Sequence, residues 1–369
     1  MAVLQVNVRP AHRTHPRNGA QRGGQAGDHQ TQLRHPPSRD PLQHTLTINN
    51  EHADFAAPRD NSGLGWQTVV WTLTPGATIG RALVAATERL RDAGSLTASL
   101  DAQVILAHAL GVERTWLFAH YDYELTADQA ESYTDLIARR TASEPVAYLV
   151  NNREFYGLDF YVDRRVLIPR PETELLVDTV FEYIDDYHAD SATSTTPIEI
   201  VDVGTGSGAI ALAVAHEAAN VSIHAIDISA DALDVARLNA ERLGLQECVQ
   251  FYHGDLLTPL AGTTHAPVHV IVANLPYIRH DDYRALDSDV HDYEPRLALD
   301  AGPDGLESIR RLLAQASEYL RPGGMLLLEI GYDQGKMVGA LAAEALPRAR
   351  EISVEKDYSD RDRIVRIML

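Results

Sequence analysis

Three glycines at alternate positions stand where a run of apolar, mostly β-branched residues ends and a helical pattern begins. The loop reads Gly204, Thr205, Gly206, Ser207 and Gly208. Glycine adopts backbone conformations that other residues avoid, so such a loop can turn tightly and bring a ligand against bare main chain. The helix that follows offers unpaired N–H groups to an anion or a carboxylate. The sequence therefore predicts a cofactor loop between the first strand and the first helix of an α/β domain.

Two acidic residues at the ends of later predicted strands extend this candidate site. Asp227 lies 23 residues after Gly204, where a carboxylate can accept hydrogen bonds from both ribose hydroxyls of a nucleoside. Asp255 follows the third strand and is placed to meet an adenine amino group, with Leu256 as an apolar neighbour. If Ala209 is counted, the loop also fits the G-x-G-x-x-A pattern of dinucleotide sites. NAD and S-adenosylmethionine therefore both remain open on these residues.

Apolar strands and helices alternate in the second half of the chain, which is the order that builds a parallel sheet covered on both faces. The predicted strands are residues 198–203, 222–226, 249–253, 268–273 and 325–330. The predicted helices are residues 209–218, 230–243 and 306–320. Two further segments, 351–355 and 364–368, flank a polar turn and predict a terminal antiparallel hairpin. The predicted fold class is therefore α/β, with a mostly parallel sheet.

The chain divides by pattern into four parts. Residues 1–74 are rich in Arg, His, Gln, Gly and Pro and have almost no apolar periodicity, which predicts a disordered or weakly ordered arm. Residues 75–145 predict a small helical bundle. Residues 146–168 carry aromatic side chains around a glycine and predict an extended, hairpin-like connector. Residues 169–369 form the cofactor-binding domain.

Helical spacing is clearest in the second of these parts. Apolar side chains recur at three and four residues from Ile79 to Leu90, and again from Leu100 to Leu110. A third helix is predicted to begin after Thr126, because a glutamine three residues later completes the spacing of a capping box.

Composition excludes several classes of protein. No apolar run reaches about 18 residues and no secretory signal is visible, which predicts a cytoplasmic protein without a membrane segment. The single cysteine, Cys248, excludes an intramolecular disulfide, and no Cys/His group has zinc-ligand spacing, so no metal is expected. The net charge is −20, and residues 156–369 carry 18 basic and 36 acidic side chains. A field of this sign repels a phosphate backbone and disfavours nucleic acid as the partner.

The fourth predicted strand ends in Asn274, Leu275, Pro276 and Tyr277, at the edge where open sheets hold ligands. An amide or exocyclic amine attacks a sulfonium methyl group poorly, because its nitrogen lone pair is delocalised. The side-chain oxygen of Asn274 and the carbonyl of Leu275 can accept both N–H groups and direct the lone pair at the methyl group. Pro276 would fix the turn, and Tyr277 would stack on a flat substrate group. This stretch favours S-adenosylmethionine over NAD.

Together these motifs resemble the HemK/PrmC family of protein-(glutamine-N5) methyltransferases, over residues 78 to 369. The further markers of the resemblance are residues 153–157, 168–174, 294–295, 302–305, 329–331 and 334. The resemblance implies a helical domain that docks a peptide-chain release factor, followed by a Rossmann-like class I domain that binds S-adenosylmethionine. It assigns the cofactor to residues 204–208, Asp227 and Leu256, and the substrate glutamine to residues 274–277, with Asn274 lining both sites.

Leu275 departs from the family, whose motif usually reads Asn-Pro-Pro-Tyr. The resemblance implies that this residue contributes a backbone carbonyl, so leucine should be tolerated with some loss of loop rigidity. The favoured function is methylation of the glutamine side-chain amide in the Gly-Gly-Gln loop of release factors. A nucleic-acid methyltransferase of the adenine-N6 type, a nicotinamide oxidoreductase and a non-catalytic S-adenosylmethionine-binding protein are the alternatives.

Overall fold

The computed structural model describes residues 8–9, 71–190, 196–261 and 267–369. Most of the predicted arm lies outside these ranges. Its described parts are β1 (Val8–Arg9), which pairs in parallel with a strand near the C-terminus, and residues 71–74. Trp71 and Leu73 pack against the helical core, and the Leu73 N–H donates to Thr134 Oγ1 at 3.1 Å. The helical core therefore includes residues that the sequence pattern assigned to the arm.

Four helices build most of the N-terminal bundle. They are α1 (Ile79–Asp92), α2 (Ala98–Leu110), α3 (Arg114–Ala119) and α4 (Ala127–Thr141). The predicted capping box is confirmed, because Thr126 Oγ1 accepts from the Gln129 N–H at 3.3 Å and Gln129 Oε1 accepts from the Thr126 N–H at 3.0 Å. Tyr133 is fully buried at the centre of the bundle and donates its hydroxyl to the Ala102 carbonyl at 3.0 Å.

The connector is only partly extended. The prediction for 146–168 is wrong over its first five residues, which form the short helix α5 (Val146–Val150). Pro145 precedes this helix with a φ of −58°, which suits a helix start, and Tyr148 is buried. Tertiary burial here overrides the strand preference of β-branched and aromatic residues. The hairpin is confirmed as the antiparallel pair β2 (Arg153–Phe155) and β3 (Leu158–Phe160).

The C-terminal part alternates helices and strands as predicted. Its elements are α6 (Glu174–Asp190), β4 (Ile198–Val203), α7 (Ala209–Glu217), β5 (Val221–Asp227), α8 (Ala230–Leu243), β6 (Val249–His253), β7 (Val268–Ala273), α9 (His280–Tyr283), α10 (Ser288–His291), α11 (Glu307–Tyr319), β8 (Leu320–Glu329), α12 (Gly335–Ala345), β9 (Glu351–Lys356) and β10 (Asp362–Met368). The strand order in the sheet is β1-β9-β10-β8-β7-β4-β5-β6. Strands β4 to β8 pair in parallel, and β10 is antiparallel to both β8 and β9. The Rossmann-like architecture with a terminal antiparallel pair is confirmed.

Alternate side chains of the central strands face two separate cores. In β4, Ile198 and Ile200 pack with α6, α7 and α8, whereas Val201 and Val203 pack with α11 and α12. From β4 the chain runs through β5 to β6 on one side, and then returns through β7 to β8 on the other. Open sheets hold ligands at such a switch point, beyond the carboxyl ends of the strands. No helix in the described ranges combines the length and the apolar character needed to span a bilayer.

Candidate active site

A cavity of about 240 Å³ opens at the carboxyl ends of β4, β5, β6 and β7. The predicted residues that line it are Gly204, Thr205, Gly206, Ser207, Asp227, Asp255, Leu256, Asn274, Leu275 and Pro276. The structure therefore brings together parts of the chain that the sequence analysis selected one strand at a time. Gly208 and Tyr277 are the two selected residues that are not among those lining the cavity.

The glycine loop needs its glycines for conformation and for space. Gly204, Gly206 and Gly208 have φ values of 77°, 56° and 83°, in the left-handed region that glycine tolerates. A Cβ on Gly204 would lie 3.0 Å from Leu275 Cδ2. A Cβ on Gly208 would lie 2.9 Å from Leu212 Cδ1 inside the helix that follows. The loop thus exposes bare backbone to the cavity while it packs tightly on its other side.

Asp227 accepts hydrogen bonds from the glycine loop and from the turn that follows β5. Its Oδ2 accepts from the Gly206 N–H and its Oδ1 from the Ser229 N–H, both at 2.8 Å. Burial raises the pKa of Asp227, while these N–H donors lower it. Each carboxylate oxygen keeps a further lone pair, so the side chain can also accept from ligand hydroxyls.

Asp255 forms a contact that the sequence did not predict. Its carboxylate is paired with Arg311 of α11, which also lines the cavity. The assignment of Asp255 to an adenine amino group therefore competes with an existing ion pair, and it stays a prediction. Leu256 has a φ of 50° and is 7% exposed, so it forms an apolar part of the wall.

The amide of Asn274 is held through its nitrogen. Nδ2 donates to Thr173 Oγ1 at 3.0 Å, and the Thr173 hydroxyl donates to Glu329 Oε2 at 2.7 Å. Glu329 also accepts from the Tyr277 hydroxyl at 3.3 Å. No described residue donates a hydrogen bond to Asn274 Oδ1 or to the Leu275 carbonyl, and both residues line the cavity. These are the two acceptors that the chemistry of amide methylation requires.

Tyr277 is positioned by its backbone as well as by its hydroxyl. Gln334 Nε2 donates to the Tyr277 carbonyl at 2.9 Å, and Gln334 Oε1 accepts from the Gly331 N–H at 2.8 Å. A Cβ on Gly305 would lie 2.5 Å from the same carbonyl, so glycine is required there. Burial and the charge of Glu329 raise the pKa of Tyr277, which keeps its phenol protonated.

Leu275 is the position where this chain departs from the family motif. Its side chain is 6% exposed and joins the core below the sheet edge, where it meets the glycine loop. A buried apolar residue therefore packs this turn while its carbonyl remains available.

Sequence reasoning interpreted residues 169–174 as a helix start and a wall of the cofactor site, and it named Glu294 and Glu329 only as markers of the resemblance. It gave no individual role to Thr173, Glu329, Arg170 or Glu294. Arg170 lines the cavity and donates to Glu294 Oε1 at 2.5 Å, while Glu294 Oε2 accepts from the Ile168 N–H at 3.1 Å. One signal was available for Glu329, because it is an acidic residue at the end of an otherwise apolar strand. Glu329 is 1% exposed, and burial raises its pKa while Thr173, Arg363 and Tyr277 lower it.

Asp202 lies beneath the glycine loop, fully enclosed. Its Oδ2 accepts from the Thr205 hydroxyl at 2.7 Å and from the Ala211 N–H at 3.2 Å, whereas Oδ1 has no hydrogen-bond partner among the residues that the structure describes. Burial raises the pKa of Asp202 to about 7, and the nearby charge of Asp227 adds to this shift. The folded protein therefore binds this proton more tightly than the unfolded chain does.

Asp202→Asn is expected to remove a pH dependence of stability. Because the folded pKa of Asp202 is raised, its contribution is greatest below the unfolded pKa near 4 and is lost as the pH rises to about 7. The difference in unfolding free energy between wild type and variant should change by about 3 kcal/mol between pH 5 and pH 8, in favour of the variant at high pH. Urea titrations at both pH values measure it. Asp234→Asn, an exposed acid, is the control, and a constant difference for Asp202→Asn would contradict the raised pKa.

Among the residues that the structure describes, no three His, Cys, Asp or Glu side chains are grouped as a metal site. The groups that line the cavity suit a nucleoside. They are a loop with bare backbone, a carboxylate at the end of β5 and an apolar wall. The amide of Asn274 lies beside them.

Two family models match parts of this chain. Residues 81–150 match a family model described as the PrmC N-terminal domain, and residues 195–359 match one described as a methyltransferase domain. A solved structure of a release-factor-specific protein-(glutamine-N5) methyltransferase from Alicyclobacillus acidocaldarius is 29% identical, covers 57% of this chain and 98% of that chain, and has a TM-score of 0.34.

The alignments of this chain with two relatives extend over nearly the full length of each relative. The release factor glutamine methyltransferase of Moorella thermoacetica is 44% identical over 286 residues, which are 78% of this chain and 96% of the relative. That of Caulobacter vibrioides is 39% identical over 288 residues, 78% of this chain and 95% of the relative. With the helical domain, the sheet order and the Asn274 turn in place, the chain belongs to the release factor glutamine methyltransferase family.

Proposed function

We propose that this protein transfers a methyl group from S-adenosylmethionine to the side-chain nitrogen of the glutamine in the Gly-Gly-Gln loop of peptide-chain release factors. The observation that carries the proposal is the side chain of Asn274, a residue that lines the cavity: Thr173 accepts from its NH2 group, and no described residue donates a hydrogen bond to its oxygen. The cytoplasmic location stays a prediction.

The substrate amide is oriented by two acceptors. Asn274 Oδ1 accepts from one N–H of the substrate, and the Leu275 carbonyl accepts from the other. Both bonds strengthen as positive charge develops on the nitrogen, so they contribute more in the transition state than in the ground state. The nitrogen would form the new N–C bond as the bond between the methyl carbon and the sulfonium sulfur breaks and the sulfur leaves as a neutral thioether. The extra proton on nitrogen would go to water afterwards, so the chain needs no general base at this point.

The cofactor would be held by residues already described. The backbone of residues 204–206 would contact its amino-acid part, Asp227 its ribose hydroxyls, and Leu256 its base. When bound, S-adenosylmethionine supplies a methyl group on a positively charged sulfur. The fit rests on the Gly204 backbone, where φ is 77° and a Cβ would lie 3.0 Å from Leu275 Cδ2, and on the spare lone pairs of Asp227.

The domain boundaries form part of the same proposal. The helical bundle of residues 75–145 docks the release factor, residues 146–168 connect, and residues 169–369 bind the cofactor and transfer the methyl group. The names of the relatives described above give release factors as their substrates. The match of residues 81–150 to the PrmC N-terminal model supports this division.

The test is a methyl-transfer assay with labelled S-adenosylmethionine and a purified release factor. Label is expected on the intact factor and not on a factor whose Gly-Gly-Gln glutamine is replaced by alanine. Parallel reactions contain duplex DNA or ribosomal RNA as the alternative substrate. Label on nucleic acid alone would support the adenine-N6 alternative, and cofactor binding without any transfer would support a non-catalytic protein.

A further inference from the structure

A chain of hydrogen bonds connects the Asn274 amide, through Thr173 at the cavity wall, to the buried Glu329. It runs from Asn274 Nδ2 to Thr173 Oγ1 at 3.0 Å and from the Thr173 hydroxyl to Glu329 Oε2 at 2.7 Å. Thr173 is 4% exposed and Glu329 is 1% exposed, so water cannot readily replace either bond. Thr173 comes from the turn before α6, and Glu329 from the end of β8.

The chemistry of these groups leaves one consistent arrangement. Glu329 accepts from the Thr173 hydroxyl through Oε2 and from the Tyr277 hydroxyl through Oε1, so the single hydroxyl hydrogen of Thr173 is used on Glu329. The Thr173 oxygen can then only accept from Asn274. Asn274 must therefore turn its NH2 group towards Thr173, which leaves Oδ1 without a hydrogen bond from any described residue and able to accept from a substrate in the cavity.

This orientation decides whether Asn274 helps or hinders the reaction. The oxygen and nitrogen ends of an asparagine amide have nearly the same shape, so packing alone selects poorly between them. With the amide reversed, an NH2 group would face the NH2 group of the substrate, and two donors would meet without an acceptor. A buried or ligand-facing donor without a partner is costly.

We propose that Glu329, acting through the Thr173 hydroxyl, holds the Asn274 amide with its oxygen towards the substrate amide. Both are positioning residues, and the inference rests on the proposed glutamine methylation. The charge of Arg363 lowers the pKa of Glu329 against the larger effect of burial, and the Tyr277 hydroxyl donates to the other carboxyl oxygen. Glu329 thus connects the first and last residues of the motif at 274–277.

Thr173→Val is the first test, because it keeps the shape of the side chain and removes only the hydroxyl. We expect kcat for release-factor methylation to fall about tenfold, with the dissociation constant of S-adenosylmethionine changed by less than about twofold. Thr173→Ser restores the hydroxyl and should recover most of the activity. Thr179→Val is the matched control, because it deletes another buried hydroxyl, bonded only to the Leu175 carbonyl of its own helix.

A double-mutant cycle tests whether the effect passes through Asn274. In an Asn274→Ala background, Thr173→Val should cost less than about twofold further, since no amide is left to orient. A purely structural role would lower activity by the same factor in both backgrounds. Glu329→Gln, which permits the reversed arrangement, should lower kcat severalfold in wild type and by less than about twofold beside Thr173→Val.

Three results would overturn the inference: wild-type kcat in Thr173→Val, equal losses in both Asn274 backgrounds, or an unchanged kcat in Glu329→Gln. These outcomes are distinct from failure of the proposed function, in which the unmodified protein itself transfers no methyl group to the release factor. Thermal melts of each variant are measured beside the kinetics to identify a misfolded variant. If Thr173→Val misfolds, the recovery of activity in Thr173→Ser decides the test.

Discussion

Asn274→Ala is expected to lower kcat for release-factor methylation by about a thousandfold, while the dissociation constant of S-adenosylmethionine changes by less than about threefold. The variant loses the only side-chain acceptor of the proposed pair, so the substrate nitrogen keeps its lone pair delocalised. The carbonyl of Leu275 alone cannot orient a planar NH2 group. The glycine loop and Asp227 are untouched, because no hydrogen bond of Asn274 in the described chain reaches them.

Single-turnover rates with saturating cofactor measure the first quantity, and titration calorimetry measures the second. Gln250→Ala is the control, because it removes an exposed side-chain amide from β6, remote from the Asn274 turn. Turnover within tenfold of wild type would remove Asn274 from the catalytic machinery. A loss of cofactor binding as large as the loss of turnover would make it a binding residue instead.

Asp227→Ala is expected to weaken S-adenosylmethionine binding by about a hundredfold. The carboxylate would accept the ribose hydroxyls, and it also holds the Gly206 and Ser229 N–H groups at 2.8 Å. Each lost hydrogen bond to a charged group contributes about 1.5 kcal/mol or more, so the loss of two already accounts for this factor. At saturating cofactor, kcat should recover to within about tenfold of wild type, since Asn274 stays in place.

Calorimetry and the cofactor dependence of the initial rate check this result. Asp234→Ala is the matched control: it removes an exposed carboxylate of α8, paired only with Arg237 on the same helix among the described contacts. Equal affinity of Asp227→Ala and wild type would place the ribose elsewhere in the cavity. A normal affinity combined with a large fall in kcat would exchange the roles proposed for Asp227 and Asn274.

Local sequence patterns were sufficient to predict the strands that position the candidate site. The predicted strands at 198–203, 249–253 and 268–273 coincide with the observed β4, β6 and β7. Strands β4 and β7 are mostly apolar and buried on both faces, whereas β6 lies at the sheet edge and is only partly buried. The glycine loop follows β4, because the tight turn from this strand into the next helix needs positive φ values, which glycine adopts readily. The carboxyl ends of parallel strands meet at one edge, so separate motifs could be expected at one cavity.

Elements whose conformation depends on burial were harder to predict. Residues 146–150 have strand-forming side chains, yet they form α5, because Pro145 suits a helix start and Tyr148 and Leu149 are buried against different cores. The pairing of Asp255 with Arg311 joins residues 56 apart in sequence and was likewise invisible to spacing.

By itself, the sequence determined the fold class and was enough to select the glycine loop and Asn274 for the proposed cofactor and substrate sites, since periodicity, glycine conformation and amide chemistry are local properties. Only the tertiary structure decided which end of that amide faces the cavity. Thr173 is 101 residues from Asn274 and 156 residues from Glu329 along the chain. The direction of a hydrogen bond is set by the partner across the fold, so no local pattern could have specified it.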